Sequence, residues 1–283
     1  MNCISCGSTS FTPYSENSNM DLPVYKCIKC NLLVTGSTES EIRDKSKKIY
    51  TTTYWEERKA IQSLESNFMD KTSQYKWKHW KSQIEYCKPY LDNKKDLLEI
   101  GSGAGQSLFY FENIGYMVTG IEPDSRNVSL INSKLKHGQC ITGFAEDSNI
   151  DGKFDIIWIN HVFEHLIRPD LFLVKCKNNL REDGIIFIEV PECKNPKILN
   201  ESIRENPSTF HFTRETLTNV VRNCGYKVIR CDSLRVPTLI EAGIWRIMKK
   251  CSFIPMNLYP YYPRLITDKN DGQLIRIILS KER

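Results

Sequence analysis

Three groups of residues in this chain have types and spacings suited to chemistry. The first is Cys3, Cys6, Cys27 and Cys30, which form two Cys-x-x-Cys pairs. Each pair puts two thiolates on one tight turn, and four thiolates make the tetrahedral set that a structural zinc ion takes. Gly7, directly after the first pair, suits the positive φ that such a knuckle often needs. A segment of about 40 residues buries little core, so bound metal would supply the missing folding energy. Four protein ligands leave the ion no open position, so no catalysis is expected of it. The competing readings are two unrelated pairs, or a redox dithiol, which normally opens a helix in a βαβ setting.

The second group is a glycine turn. Leu97-Leu98-Glu99-Ile100 reads as a buried strand, Gly101-Ser102-Gly103-Ala104-Gly105 follows at once, and Gln106 opens a helix. Glycines there let the backbone turn sharply and let a ligand reach the main chain. The next strand, Val118-Thr119-Gly120-Ile121, ends in Glu122. That carboxylate lies about 20 residues after the turn, where it can accept from both ribose hydroxyls. A dinucleotide site wants G-x-G-x-x-G, but position 106 is Gln. Glu99 would repel a pyrophosphate and favour an ammonium group. S-adenosylmethionine (SAM) carries an amino-acid ammonium and no phosphate, so SAM is preferred to NAD.

The third group is histidine-based. His161-x-x-Glu164-His165 follows a strand, and His211 precedes a helix. Three readings stay open. A histidine could be a general base for a hydroxyl, since imidazole titrates near pH 7. His161, Glu164, His165 and His211 could hold Mg2+ or Mn2+ and lower the hydroxyl's pKa. All could instead be structural and help to close the ligand pocket.

These groups need elements to place them. Strands are expected near 97–100, 117–121, 139–142, 154–159, 184–189, 226–231 and 273–279, and helices near 105–114, 124–136, 169–180 and 213–223. Alternation of this kind means βαβ units and a parallel sheet with helices on both faces. The last strand follows no long helix, so antiparallel pairing is expected of it. Residues 36–50 are polar and read as a linker, while about 54–90 have helical periodicity. Residues 235–270, rich in Pro and aromatics, read as a lid or substrate-facing insertion, with a dimer contact as rival.

Four ordered segments carry a family resemblance: 99–105; Gly120-Ile121-Glu122-Pro123-Asp124; 154–166, from Phe154 to Leu166; and 180–191, from Leu180 to Pro191. They resemble successive motifs of class I SAM-dependent methyltransferases over roughly 96–234. The resemblance implies an α/β fold, a Rossmann-like sheet of seven strands, with a small N-terminal zinc-ribbon-like module. It implies that Glu99, Gly101, Ser102, Gly103 and Gly105 flank the methionine portion of SAM. It further implies that Glu122 and Pro123 serve the ribose, Ala145 and Glu146 the adenine, and that Asn160 lines the site. The cysteine-rich head before Tyr50-x-x-x-Tyr54-Trp55 resembles a subset of bacterial and archaeal members, many acting on sugars. His161-x-x-Glu164-His165 is similar to the E-x-x-E-H pattern of some metal-dependent members, with His161 replacing the first Glu.

The expected division is 1–40 zinc-binding module, 41–95 linker and helical segment, and 96–283 methyltransferase domain with the 235–270 insertion. The expected activity is O-methylation of a sugar, nucleotide sugar, glycan precursor or other small hydroxylated molecule. RNA methylation through a His/Glu metal site and non-catalytic SAM binding are the alternatives. The 283 residues carry 40% hydrophobic residues and a net charge of +5 with interleaved signs. That is no concentrated basic stripe, so nucleic acid is disfavoured as a partner. No apolar run approaches the roughly 18 residues that span a bilayer. The start, Met1-Asn2-Cys3, shows no secretory pattern, and the 11 cysteines are scattered, so a reducing cytoplasm is expected. A monomer or a homodimer is the expected state.

Overall fold

The computed structural model describes residues 2–36, 38–53, 73–243 and 264–282. The chain begins with three short strands, β1 (Phe11–Ser15), β2 (Val24–Cys27) and β3 (Leu33–Thr35). Helix α1 (Glu39–Lys48) and a π-helical turn (Ile49–Thr53) follow, then α2 (Ser73–Cys87). The strand–helix alternation starts at β4 (Asp96–Ile100) and α3 (Gln106–Asn113), β5 (Met117–Glu122) and α4 (Ser125–Lys134). It continues through β6 (Gln139–Thr142), β7 (Phe154–Asn160), a 3-10 turn (Phe163–His165), α5 (Pro169–Asn179) and β8 (Leu180–Pro191). The rest is α6 (Pro196–Arg204), β9 (Phe210–His211), α7 (Arg214–Asn223), β10 (Tyr226–Arg235), β11 (Leu265–Thr267) and β12 (Leu274–Lys281).

Among the described residues, eight strands form one sheet in the order β11-β10-β12-β8-β7-β4-β5-β6. Strands β4 to β8 run parallel, and β12 runs antiparallel to both β8 and β10, as expected for the last strand. The strand order reverses at β4, which has β5 on one side and β7 on the other. A crevice opens at such a switch point beyond the strand C-termini.

Alternate residues point to opposite faces of a strand. Leu98, Ile100, Ile157, Ile159, Ile186 and Ile188 join one buried cluster with Phe172 and Leu173 of α5 and Leu217 and Val220 of α7. Leu97, Ile156, Trp158, Ile185 and Phe187 join the other, with Leu108 and Phe111 of α3, Ile131 of α4 and Tyr86 of α2. Helices covering both faces explain why these strands are apolar at nearly every position. Caps fix the helix starts. The Asp124 side chain accepts from Arg126 N at α4, and Thr213 and Thr216 form a capping box at α7.

Two stretches carry elements beyond those expected of them. Residues 36–50, expected as a linker, hold a seated helix: Thr38 caps α1, whose buried side chains are Ile42 and Ser46. One apolar anchor in ten residues leaves no apolar period to detect. The 235–270 stretch supplies part of β10 and all of β11, an eighth strand that pairs antiparallel with β10. Its centre, 244–263, lies outside the described residues, as does 54–72 of the expected helical segment.

Strands β1, β2 and β3 form a second small sheet, and its fourth strand is β9 from the far half of the chain. Cys3, Cys27, Leu32 and Val34 belong to the same buried cluster as Leu98 and Ile186. The N-terminal residues are thus seated on the α/β core.

Candidate functional site

The turn after β4 sets the floor of the site. Gly101, Gly103 and Gly105 all have positive φ, at 69°, 55° and 74°. A Cβ on Gly101 would lie 2.4 Å from Val162 Cγ2, and one on Gly105 would lie 2.4 Å from Ile131 Cγ1. Both the conformation and the space therefore demand glycine. The Gly101 and Ser102 N–H groups donate to Ile121 O at 2.8 and 3.0 Å, tying the turn to β5.

Glu122 closes the turn from the other side. Its Oε2 accepts from Gly103 N at 2.8 Å and its Oε1 from Asp124 N at 3.2 Å. It lines a cavity of about 250 Å³ at the strand C-termini. Gly101, Gly103, Pro123, Ala145, Glu146, Asn160, His161 and His165 line the same cavity. Ser46 and Tyr50, from α1 and the π-helical turn, also reach it. The Glu146 carboxylate accepts from Ile167 N at 3.1 Å and Arg168 N at 2.7 Å, which holds the loop before α5 against the cavity.

Glu99 lies behind the turn, 2% exposed, and its Oε2 has no hydrogen-bond partner among the described residues. Burial raises its pKa to about 8, a rise that the Ser107 hydroxyl moderates and the charge of Glu122 reinforces. Ser102 is buried beside it. Neither residue lines the cavity. A carboxyl kept near neutrality by burial is restored to its charged form by a nearby cation. The orphaned Glu99 oxygen, the glycine turn and the Glu122 carboxylate fit a ligand with an ammonium at one end and ribose hydroxyls beyond it.

The histidines part company. His161 has φ +54°, unusual for a residue with a side chain, and its ring is 42% exposed. Its Nδ1 is 3.5 Å from Glu164 Oε1 and its Nε2 is 3.4 Å from Glu189 Oε1. Burial opposes the charged ring, but these two carboxylates outweigh it and push the pKa up to about 10. Glu164 is 2% exposed and stands behind the cavity wall. His165 Nδ1 lies 3.0 Å from Pro207 O, so it donates there, and the ring lies 5.9 Å from that of Tyr50.

His211 is not brought to the cavity. It is 1% exposed, with Nε2 3.0 Å from Thr35 Oγ1 and Nδ1 2.8 Å from Ser202 Oγ. Burial, with the charge of His165 a smaller cause, pulls its pKa down to about 3. It bolts β3 to β9 and α6. The expected Mg2+ or Mn2+ set of His161, Glu164, His165 and His211 is therefore not assembled. Among the described residues, the group of His, Cys, Asp or Glu ligands close enough for one ion is Cys3, Cys6, Cys27 and Cys30, whose Sγ atoms lie within 4.8 Å of one another.

Sequence reasoning missed His79, Gln83 and Arg276. Glu189 Oε1 lies 3.0 Å from His79 Nε2, and Glu189 Oε2 accepts from Arg276 Nε at 2.5 Å. Arg276 also donates to Ser82 O and Oγ at 3.0 and 2.9 Å. The one readable signal was an acid and a base, Glu189 and Arg276, each flanked by apolar residues within β8 and β12.

The fold and the site together define a class I, Rossmann-like methyltransferase domain. The chain belongs to the methyltransferase-domain family, whose match spans residues 69–230. It is 32% identical over 96 residues to a ubiquinone biosynthesis O-methyltransferase of Nitrobacter winogradskyi, covering 32% of this chain and 36% of that protein. It is 36% identical over 104 residues to one of Glaesserella parasuis, covering 33% of this chain and 44% of that protein. The chain thus spans less than half the length of these relatives. Among solved structures, the plantazolicin methyltransferase BpumL in complex with SAH (S-adenosylhomocysteine) shares the fold with a TM-score of 0.54 and 15% identity, over 87% of this chain and 99% of that one. A SAM-dependent methyltransferase from Archaeoglobus fulgidus gives 0.53 at 18% identity, over 75% and 100%. Among the described residues, no helix is long and apolar enough to cross a membrane.

Proposed function

We propose that the chain transfers a methyl group from SAM to a hydroxyl of a small-molecule acceptor. The observation that carries this reading is the Glu122 carboxylate, anchored to the glycine turn at a cavity that also holds Asn160 and His161. SAM, when bound, supplies an electrophilic methyl on a sulfonium. Glu122 holds the ribose hydroxyls, and Glu99, Gly101, Ser102, Gly103 and Gly105 serve the amino-acid end. Pro123 sits beside Glu122 at the ribose, Ala145 and Glu146 flank the adenine, and Asn160 borders the acceptor. His161, held charged by two carboxylates, donates a hydrogen bond and so orients an acceptor oxygen. His165 and Glu164 hold that wall in place.

The names of the two relatives, both O-methyltransferases, support transfer to oxygen. A sugar, a glycan precursor or another small hydroxylated molecule remains the acceptor class we favour. A screen with methyl-labelled SAM against nucleotide sugars, phenols and RNA tests it. Label on a nucleotide sugar or a phenol is expected. Label on RNA alone, or on nothing, overturns the reading.

A structural zinc ion in Cys3, Cys6, Cys27 and Cys30 is the second part of the proposal. Cys3 Sγ and Cys30 Sγ lie 3.4 Å apart, and Cys6 Sγ and Cys27 Sγ 3.6 Å apart. Zinc–sulfur bonds of about 2.3 Å in a tetrahedron put sulfurs about 3.8 Å apart. Gly7 has φ +71° after the first pair, which supports the knuckle. We take 1–40 as this module, 41–95 as the connecting segment and 96–283 as the catalytic unit.

A further inference from the structure

An acceptor hydroxyl must lose its proton as its oxygen is methylated, and the cavity histidines are poorly placed to take it. His161 sits between two carboxylates that hold a proton on it. His165 spends Nδ1–H on Pro207 O and turns Nε2 toward Glu164 at 3.8 Å. A third imidazole, outside the lining of that cavity, shares a carboxylate with His161. His79, on α2, has Nε2 3.0 Å from Glu189 Oε1, the same oxygen that His161 Nε2 approaches at 3.4 Å. The amide nitrogen of Gln83, one turn on, lies 3.1 Å from His79 Nε2 and donates to Asn160 Oδ1 at 3.0 Å. Asn160 and Glu189 mark the C-terminal ends of β7 and β8, where open α/β sheets hold their ligands.

Resting on the O-methylation reading above, we propose that His79 is the group that takes the proton from the acceptor hydroxyl, with Glu189 fixing its ring. Nε2 of His79 faces an acceptor, Glu189 Oε1 at 3.0 Å, and a donor, the Gln83 amide nitrogen at 3.1 Å; the charged carboxylate is the stronger partner, so Nε2 carries the proton, Nδ1 keeps its lone pair and the Gln83 amide donates to Asn160 instead. The His79 side chain is 16% exposed, and Nδ1 makes no hydrogen bond among the described residues. Arg276, paired with Glu189 and itself 0% exposed, keeps that carboxylate charged. Among the described residues, the charged groups around His79 are Glu189 from β8, Arg276 from β12, Arg264 before β11 and, across the shared Glu189 oxygen, His161. Burial lowers the His79 pKa, and although Glu189 opposes this, the ring stays neutral near pH 7.

The step balances. The acceptor O–H bond breaks and its proton passes to His79 Nδ1. The oxygen forms a bond to the methyl carbon, the carbon–sulfur bond breaks, and its electron pair stays on sulfur as a neutral thioether. One positive charge leaves the sulfonium and one appears on the imidazole.

The test uses the full chain, its His79→Ala and His79→Gln variants, and two acceptors: catechol, and a nitrophenol assayed where it is already ionised. General-base catalysis contributes about a hundredfold or more. Both variants should therefore lose about a hundredfold in kcat on catechol and less than about threefold on the nitrophenolate. SAH affinity by calorimetry should stay within about twofold in each. Equal losses on both acceptors, or a His79→Gln enzyme as fast as wild type, overturn the proton role; the second result would leave His79 a positioning residue. Nitrogen NMR of the His79 ring needs no acceptor. A neutral ring protonated on Nε2 at pH 7 is expected, and a ring protonated on Nδ1 overturns the proposal. A wild type that methylates neither phenol counts against the acceptor reading alone and leaves the NMR result to decide His79.

Discussion

Glu189 and Arg276 are register partners across β8 and β12, both 0% exposed, and each sits alone among apolar neighbours. Leaving either charge buried without the other would cost about 3–5 kcal/mol, so the pair is kept by what it holds. It holds His79, Ser82 and the edge of His161. At this scale the chain's chemistry was partly legible. Gly101, Glu122 and His161 stood out because their types follow strand ends. His79 did not, because its partner is 110 residues away and its own neighbours, Trp77 and Trp80, read as an ordinary amphipathic helix. His211 shows the opposite error, a histidine before a helix that turned out to be a buried bolt. It allows a pH prediction. Its folded pKa lies near 3, below the unfolded value near 6.5, so the folded state binds fewer protons between those values. The stability it protects is complete above about pH 6.5 and is lost as pH falls. Urea unfolding should show a slope from this group of about 1.4 kcal/mol per pH unit below pH 6. His211→Gln should flatten that slope; an unchanged slope would remove His211 as its source.

Helix α1 is the element that composition disguised. Its face toward the core carries Ile42, which packs with Met20, Leu22 and Ile167. Ion pairs Arg43–Asp147 at 3.0 Å and Arg168–Glu39 at 2.9 Å join it to loops beside the cavity. They are exposed and contribute little each, so the apolar seat does most of the placing. The result is that Ser46 and Tyr50 close one side of the cavity. Tyr50→Ala should weaken SAH binding about tenfold, close to the 1.4 kcal/mol expected for losing one well-placed aromatic contact. Calorimetry reads it directly, and unchanged affinity would take Tyr50 out of the cofactor wall. The sheet, by contrast, was legible almost strand by strand, since burial on both faces writes a continuous apolar run.

At the scale of the molecule, the N-terminal module and the α/β core are joined through β9. Leu33 and Val34 of β3 pair with His211 and Phe210. Thr35 N donates to Thr209 O at 2.8 Å, and Thr209 N donates to Glu164 O at 2.9 Å, so three residues connect the cysteine sheet to the cavity wall. This pairing could not be read from sequence, because β9 has two residues and its partner lies some 180 positions earlier. It predicts shared stability. Cys27→Ser should lose the zinc seen by elemental analysis and lower the melting temperature of the whole chain in a single transition. Two separate transitions, with the upper one unmoved, would show that the module stands alone.

The central claim concerns the ligand of the glycine turn. Titration calorimetry of the chain with SAH and with NAD+, repeated on Glu122→Ala, tests it most directly. Saturable SAH binding is expected, with NAD+ at least tenfold weaker. Glu122→Ala should lose about tenfold to a hundredfold in SAH affinity, since hydrogen bonds to a charged group contribute about 1.5–3 kcal/mol. NAD+ binding as tightly as SAH, or SAH affinity unchanged without Glu122, would contradict it.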